Sequence, residues 1–363
     1  MTKIQKYLAR CVEEGVFPGA SWVIGNAAGV LEQGSTGLLG KGLNPVGEHT
    51  LYDLASLTKI FTALALMKQL EEGLIRLEDS VDYFLPSYKN CPLGETTIFA
   101  LMTHTAPFPK GTHLYLHVKT REELLEAIRS SGLRSDSPAR VVYTCEAFIL
   151  LGEIVSAVDA AGLDELIRRR VLTPLGMERT FFNPPASLME SIAPTEYCPL
   201  RGRLIRGEVH DENAGIMGGV SGNAGLFSSA AEMKRLAAAM LASLEEKNSL
   251  QTGSFLQRAS AELMIRNHTP GRGENRGLGW MIAGPGSSAG DLLSPRSFGH
   301  TGFTGTSLWI DPERKLYALL LSNRIHPRRD NPGIFRTRHI FHNLAVLEYG
   351  NSRPDSITEH HHG

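Results

Sequence analysis

Several things are scarce in this sequence, and each scarcity excludes a class of protein. There are four cysteines, Cys11, Cys91, Cys145 and Cys198. They lie far apart and form no C-x-x-C pair, so neither a zinc ribbon nor a disulfide framework is expected. Free thiols in a reducing compartment are the simplest reading. There is no charge excess: 37 Lys and Arg against 38 Asp and Glu leave a net charge of -1. Nothing recommends a nucleic-acid or polyanion partner. No stretch is long and apolar enough to span a bilayer. Met1 to Arg10 reads as an amphipathic helix start and lacks the apolar core of a signal peptide, so a cytoplasmic location is expected. There is no H-E-x-x-H and no internal repeat. His210-Asp211-Glu212 has no second cluster at ligand spacing and reads as a polar loop bordering a cleft. No metal and no cofactor are expected. The closing His360-His361-His362 is set aside.

What is present suffices for a large core, with 42% hydrophobic and 21% charged residues in 363. A helix over 3–14 is broken by Pro18-Gly19. A strand over 20–25 and a hairpin partner over 30–34 follow. From there to about residue 270 the chain reads as helix and loop. Helices are expected over 97–103, 120–130, 147–160, 163–171 and 231–244, and the third is apolar enough to be buried. Strands return over 278–283, 297–300, 306–310 and 315–323, with a turn at Asp311-Pro312-Glu313-Arg314. A C-terminal helix spans 334–348; His339, His342, Arg336 and Arg338 read as its solvated face. Short turns between consecutive strands imply antiparallel pairing. The expected class is α+β: one antiparallel sheet built from both termini (1–60 and 275–350), flanked by helices, with a large helical insertion (61–274) and a tail (351–363). A cleft between the two parts is the natural site.

The chemistry centres on Ser56-Leu57-Thr58-Lys59. Apolar residues at 57, 60, 61, 64, 67 and 70 predict an amphipathic helix, with Gly73 as its stop. Ser56 falls at the helix N-terminus, where unpaired N–H groups and positive potential gather. Lys59, one turn on, can meet the Ser56 hydroxyl. A serine needs such a base to become a nucleophile, and partial burial would lower the lysine pKa toward that role. Two further stretches stand out. Tyr143-Thr144-Cys145 precedes the buried helix. His300-Thr301-Gly302 ends a strand in a glycine-rich run, where a ligand can approach the backbone.

Together these motifs resemble the serine β-lactamase and penicillin-recognising superfamily, especially its class C branch and the related esterases and D-amino-acid peptidases. That family carries Ser-x-x-Lys, Tyr-x-Asn and Lys-Thr-Gly or His-x-Gly in this order. Leu101-Met102-Thr103-His104-Thr105, Pro174-Leu175-Gly176-Met177 and Gly222-Asn223-Ala224-Gly225-Leu226-Phe227-Ser228 are similar to its framework segments. The likeness covers roughly residues 5 to 348 and implies a β-lactamase/transpeptidase-like fold. It implies Ser56 as acyl-accepting nucleophile, Lys59 and Tyr143 as shared general base, and the backbone N–H groups of Ser56 and Phe303 as oxyanion hole. His300 would line the cleft and assist proton transfer or carboxylate recognition. Cys145, Thr301 and Gly302 would touch substrate, and Asn323-Arg324 would reach the cleft rim to bind a carboxylate. His104 is expected to be structural.

Two departures bear on substrate. Cys145 replaces the usual asparagine, and a thiol is a weak donor and acceptor where an amide offers two donors and an acceptor. His300 stands where the lactamases have lysine, a fixed cation. Both changes favour an esterase or D-peptidase, acting through an acyl-enzyme, with at most weak β-lactamase activity. The alternatives are a true class C-like β-lactamase or DD-peptidase, and a non-catalytic penicillin- or peptidoglycan-fragment-binding protein. The partner expected is a small-molecule ester, β-lactam or D-peptide. Ala106-Pro107 replaces the family's Ser-Gly, so the loop after His104 is expected to have its own shape.

Overall fold

Alternation along two long strands organises the molecule. In Gly19–Asn26 (β1), Trp22 and Ile24 face one side and Val23 the other; in Leu316–Ser322 (called β6 below), Leu316, Ala318 and Leu320 face one side and Tyr317, Leu319 and Leu321 the other. Both sides are buried, so these strands read as continuous apolar runs rather than as half-polar ones. The computed structural model describes residues 1–134, 140–245 and 255–350. The tail expected over 351–363 lies outside them.

The remaining strands of the main sheet are Gly29–Gly37 (β2), Met281–Ile282 (β3), Phe298–Thr301 (β4) and Ser307–Asp311 (β5). Their order is β2-β1-β6-β5-β4-β3, antiparallel at every pairing. Trp22 pairs with Leu320, and Leu308 with His300. The first and last long strands are therefore neighbours, as a sheet built from both ends requires. The strand expected over 278–283 is only two residues long, because Gly279 takes φ +77° and turns the chain before Trp280.

Helices cover both faces. Lys3–Glu13 (α1), started by a Thr2/Gln5 capping box, and Gly333–Tyr349 (α5) cover one face through Ile4, Leu8, Phe341 and Ala345. On the other lie Thr58–Glu71 (α2), Glu146–Asp159 (α3) and Ala230–Ala242 (α4), which share a single core with Val23, Leu308 and Leu319. The amphipathic α2 of the sequence reading is instead buried all round. Even Lys59, Thr62 and Gln69 are inaccessible, because α3, the sheet and the 222–226 segment enclose the helix. A correction also applies to α5: Arg338 and His342 are not on a solvated face but are buried against the sheet. Two small sheets, unseen in the sequence, complete the fold. Tyr52–Asp53, Leu226–Ser228 and Phe181–Phe182 form one, and Tyr197–Cys198 with Arg203–Leu204 the other.

Candidate active site

Ser56 lies in a single 3₁₀ turn, Ala55–Leu57, that runs straight into α2. The residue before it, Ala55, has φ +48°, a left-handed conformation that costs a non-glycine residue on the order of 1 kcal/mol or more. The surroundings enforce it. Asp53 Oδ1 accepts the Ala55 N–H at 2.8 Å. The Leu54 carbonyl accepts from Thr306 Oγ1 at 3.0 Å, and the Asp53 carbonyl from Thr304 Oγ1 at 2.7 Å. The glycine-rich segment after β4 is thereby pinned against the serine turn. Gly302 leaves no room for more: a Cβ there would lie 2.1 Å from Thr306 Oγ1 and 2.5 Å from the Leu54 carbonyl.

Two side chains converge on the Ser56 hydroxyl. Lys59 Nζ donates to Oγ at 3.1 Å and to the Asn223 carbonyl at 3.0 Å. The Tyr143 hydroxyl lies 2.6 Å from the same Oγ. Lys59 Nζ sits 5.0 Å from the Tyr143 ring centroid and 5.7 Å from that of Phe148. Burial works against the Lys59 ammonium, but the negative potential of Tyr143, Cys145 and Asp211 outweighs it and holds its pKa above the ordinary lysine value. The expectation of a lysine depressed by burial is thus corrected. Its direct partners are the Ser56 hydroxyl and the Asn223 carbonyl.

Tyr143 is held from behind by His104. That histidine has φ +55°, accepts the Thr144 N–H on Nδ1 at 3.4 Å and packs its ring 4.6 Å from the Tyr143 ring. His104 is a support. His300, on β4, points its Nδ1 at the Thr301 carbonyl, 2.8 Å away. A carbonyl only accepts, so Nδ1 carries the proton, and buried Nε2 is a lone pair without a protein partner. Burial, then Arg276 and Lys59, push the His300 pKa well below the usual histidine value. A neutral ring with an accepting nitrogen does not hold a carboxylate, which corrects that half of its expected role.

Ser56, Tyr143, His300, Thr301, Gly302 and Phe303 open on a cleft of about 750 Å³. Among the described residues its lining also includes Arg276, Arg324 and Arg338, against one carboxylate, Glu274. Arg276 lies 5.2 Å from the Tyr143 ring centroid, pairs with Glu274 and has a buried Nε without a partner. Arg338 donates to the carbonyls of Gly302 and Thr306 at 2.6 and 2.8 Å. Arg324 donates to the Phe303 carbonyl at 2.9 Å and stacks over its ring at 4.6 Å.

A profile described as Beta-lactamase matches residues 4–340. The chain belongs to the beta-lactamase family. Relatives named "Putative D-alanyl-D-alanine carboxypeptidase" occur in Salmonella gallinarum (strain 287/91 / NCTC 13346), 30% identical over 341 residues, and in Salmonella enteritidis PT4, 31% identical over 337 residues. Each alignment covers 83% of this chain and 76% of the relative. Among solved structures, the octameric penicillin-binding protein homologue from Pyrococcus abyssi superposes at TM-score 0.73 with 25% identity, covering 95% of this chain and 77% of that one. The hydrolase EstCE1, described as having promiscuous acyltransferase activity, gives TM-score 0.72 at 20% identity, covering 93% of this chain and 97% of its own. A class C beta-lactamase from Rhodobacter sphaeroides gives 0.72 at 19%, covering 95% and 98%. The fold is the beta-lactamase/transpeptidase fold, and the chain is a serine hydrolase of that family.

Within this beta-lactamase family site, the structure brings together Ser56, Lys59, Tyr143, His300, Thr301, Gly302, Phe303 and Arg324. It does not bring Asn323. That side chain is buried, donating to the carbonyls of Leu39 and Pro194 at 2.7 and 2.9 Å, and so fastens the end of β6 to two loops. Cys145 lies behind Tyr143, with its thiol 4.0 Å from Asp211 Oδ2, and burial pushes its pKa up to about 11. Arg276 and Arg338 were missed. Arg276 has no motif of its own, and its only signal is the glycine-rich run 271–277 just before β3. Among the described residues no helix is long and apolar enough to cross a membrane.

Proposed function

We propose that this chain cleaves acyl-D-alanyl peptides that end in a free carboxylate, through an acyl-enzyme on Ser56. The observation that carries the reading is that three arginines line the same cleft as the hydrogen-bonded Ser56–Lys59–Tyr143 cluster. A peptide carboxylate entering that cleft meets guanidinium groups suited to bidentate recognition. The partnerless Arg276 Nε marks a place where such an acceptor is wanted. The names of the Salmonella relatives support the same substrate class.

In this reading Ser56 Oγ attacks the scissile carbonyl. Tyr143 and Lys59, the two groups on Ser56 Oγ, share the general-base work and pass the serine proton to the leaving amine. The Ser56 and Phe303 N–H groups receive the oxyanion, an interaction typically worth about 3 kcal/mol per donor. Water then attacks the acyl-enzyme, and the unpartnered His300 Nε2 is the proposed acceptor of its proton. A second reading, an esterase on simple acyl esters, is favoured by one observation: the thiol of Cys145 supplies no amide to hold a peptide side chain.

The test is a panel of N-acyl-D-alanyl-D-alanine, its C-terminal amide, p-nitrophenyl acetate and nitrocefin, read by turnover and by intact mass. Preference for the free acid over its amide supports the peptidase. Equal rates for both, with faster turnover of the ester, support the esterase. A stable acyl mass without turnover would replace both with a binding protein.

A further inference from the structure

The His210-Asp211-Glu212 stretch, unassigned by the motifs, touches three segments of the site at once. The His210 backbone N–H donates to Asp53 Oδ2 at 2.7 Å, and the other oxygen of that carboxylate holds Ala55 in its left-handed conformation. The His210 ring stacks on the Phe303 ring, with centroids 5.6 Å apart and planes 20° from parallel. Asp211 accepts from Asn223 Nδ2 at 3.1 Å, and the Asn223 carbonyl holds Lys59. Glu212 pairs with Arg329 at 2.9 Å, and Arg329 lies 5.6 Å from the Phe303 ring.

We infer that His210 is a positioning residue for the oxyanion hole, fixing the distance between the Ser56 turn and the Phe303 backbone. The inference rests on the acyl-enzyme reading above. Ser56 and Phe303 come from opposite ends of the chain, and their N–H groups must converge on one oxygen. His210 is buried and holds one segment through its backbone and the other through its ring. Its own ring is fixed in turn: Nε2 lies 2.9 Å from buried Glu196 Oε1, and Glu196 also receives Arg329. Burial disfavours the Glu196 carboxylate, but hydrogen bonds from His210 and Arg329 bring its pKa down to about 2. It therefore anchors the assembly as an anion.

Phe303 shows why a clamp is needed. Its ring is 46% exposed at the cleft mouth, so core packing alone does not hold it. Instead it is gripped between His210 and the guanidiniums of Arg324 and Arg329. Thr304 and Thr306 tie the segment to the serine turn, and Arg324 holds the Phe303 carbonyl, so releasing the His210 side leaves one freedom, a tilt of the Phe303 peptide that carries its N–H. A drift of about 1 Å in a catalytic group can cost about 10²-fold in rate.

The experiment compares His210→Ala, His210→Gln and His210→Phe, with kcat counted per Ser56 labelled by a fluorophosphonate. Counting by labelled sites removes any loss from misfolded protein. His210→Ala and His210→Gln are expected to lower kcat about 10²-fold with little change in KM. His210→Phe, which keeps a ring against Phe303 and loses only the Nε2 contacts to Glu196 and Arg329, is expected to recover most of it. If His210→Ala fails to fold, the Gln and Phe pair decides. Wild-type kcat per labelled site in the Gln variant, or equal loss in Gln and Phe, overturns the inference. Absence of Ser56 labelling in the unsubstituted enzyme would overturn the acyl-enzyme reading itself, and this inference with it.

Discussion

The two flanks of Ser56 are built on opposite electrostatic plans. On the Lys59 flank the charges are compensated. The ammonium faces the Tyr143 oxygen, the Asn223 carbonyl and, further off, Asp211. On the Phe303 flank, Arg324 and Arg338 hold mainly backbone carbonyls, and Arg276 completes the cationic lining of the cleft from beside Tyr143, with Glu274 as the one carboxylate among the described lining residues. A balanced flank keeps a proton mobile between neighbours. An unbalanced one attracts an anion from outside. The contrast teaches that activation and recognition are handled by different residues, so they can be broken separately.

The largest effect should come from the hydroxyl that both flanks share. Ser56→Ala is expected to lower turnover about 10⁴-fold or more and to abolish fluorophosphonate labelling, with the circular dichroism spectrum unchanged. Labelling that survives would place the nucleophile elsewhere. Breaking only the compensated flank, Tyr143→Phe should slow acylation by about 10²–10⁴-fold for every substrate alike, measured by single-turnover kinetics. A near-normal rate would reduce Tyr143 to a packing residue. Breaking only the cationic flank should discriminate among substrates. Arg276→Met loses a charge-assisted hydrogen bond worth about 1.5–3 kcal/mol. It is expected to lower kcat/KM for N-acyl-D-alanyl-D-alanine by roughly 10–100-fold relative to its amide. A ratio that stays flat would remove Arg276 from recognition.

The smallest effect concerns what lies beneath the cationic flank. His342 Nε2 meets Ser307 Oγ at 3.2 Å, with Arg338 and Phe341 beside the ring. Burial, then Arg338, bring its pKa down to about 3. The unfolded chain takes up that proton near pH 6.5 and the folded protein does not, so stability is full above about 6.5 and falls as pH drops toward about 3. His300 and His104, also lowered by burial, act in the same direction. The melting temperature should therefore fall between pH 6.5 and 4.5, and His342→Gln should flatten part of that slope. An unchanged slope would show that His342 does not carry it.

Much of the fold was legible because it rests on local pattern. The continuous apolar runs of β1 and β6, the turn at 311–314 and the helices starting near 97 and 120 are written in consecutive residues. The site was legible where motif and helix register coincide, at Ser56 and Lys59. What failed depended on distant partners. Arg338 read as solvated because a helix face does not reveal that it lies over the carbonyls of residues 302 and 306. Asn323 read as a rim residue because its acceptors come from residues 39 and 194. Arg276 was invisible for the same reason: its neighbour Tyr143 is remote in sequence.

The pairing of Ala20 with Ser322 sets the order in which this protein can fold. Synthesis makes β1 before everything that separates it from β6, so β1 has no mate beyond β2 until β6 follows. The helices around α2 and α3 rely on nearer contacts and can gather first, while the hairpin of β1 and β2 waits with an open edge. Such long-range closure is slow, because the loop entropy must be spent before the pairing repays it. Joining the first and last described elements by a short linker and opening the chain in a surface loop of the helical part would bring β1 and β6 close in sequence. That rearranged chain should reach the same native sheet faster, with the same residues around Ser56.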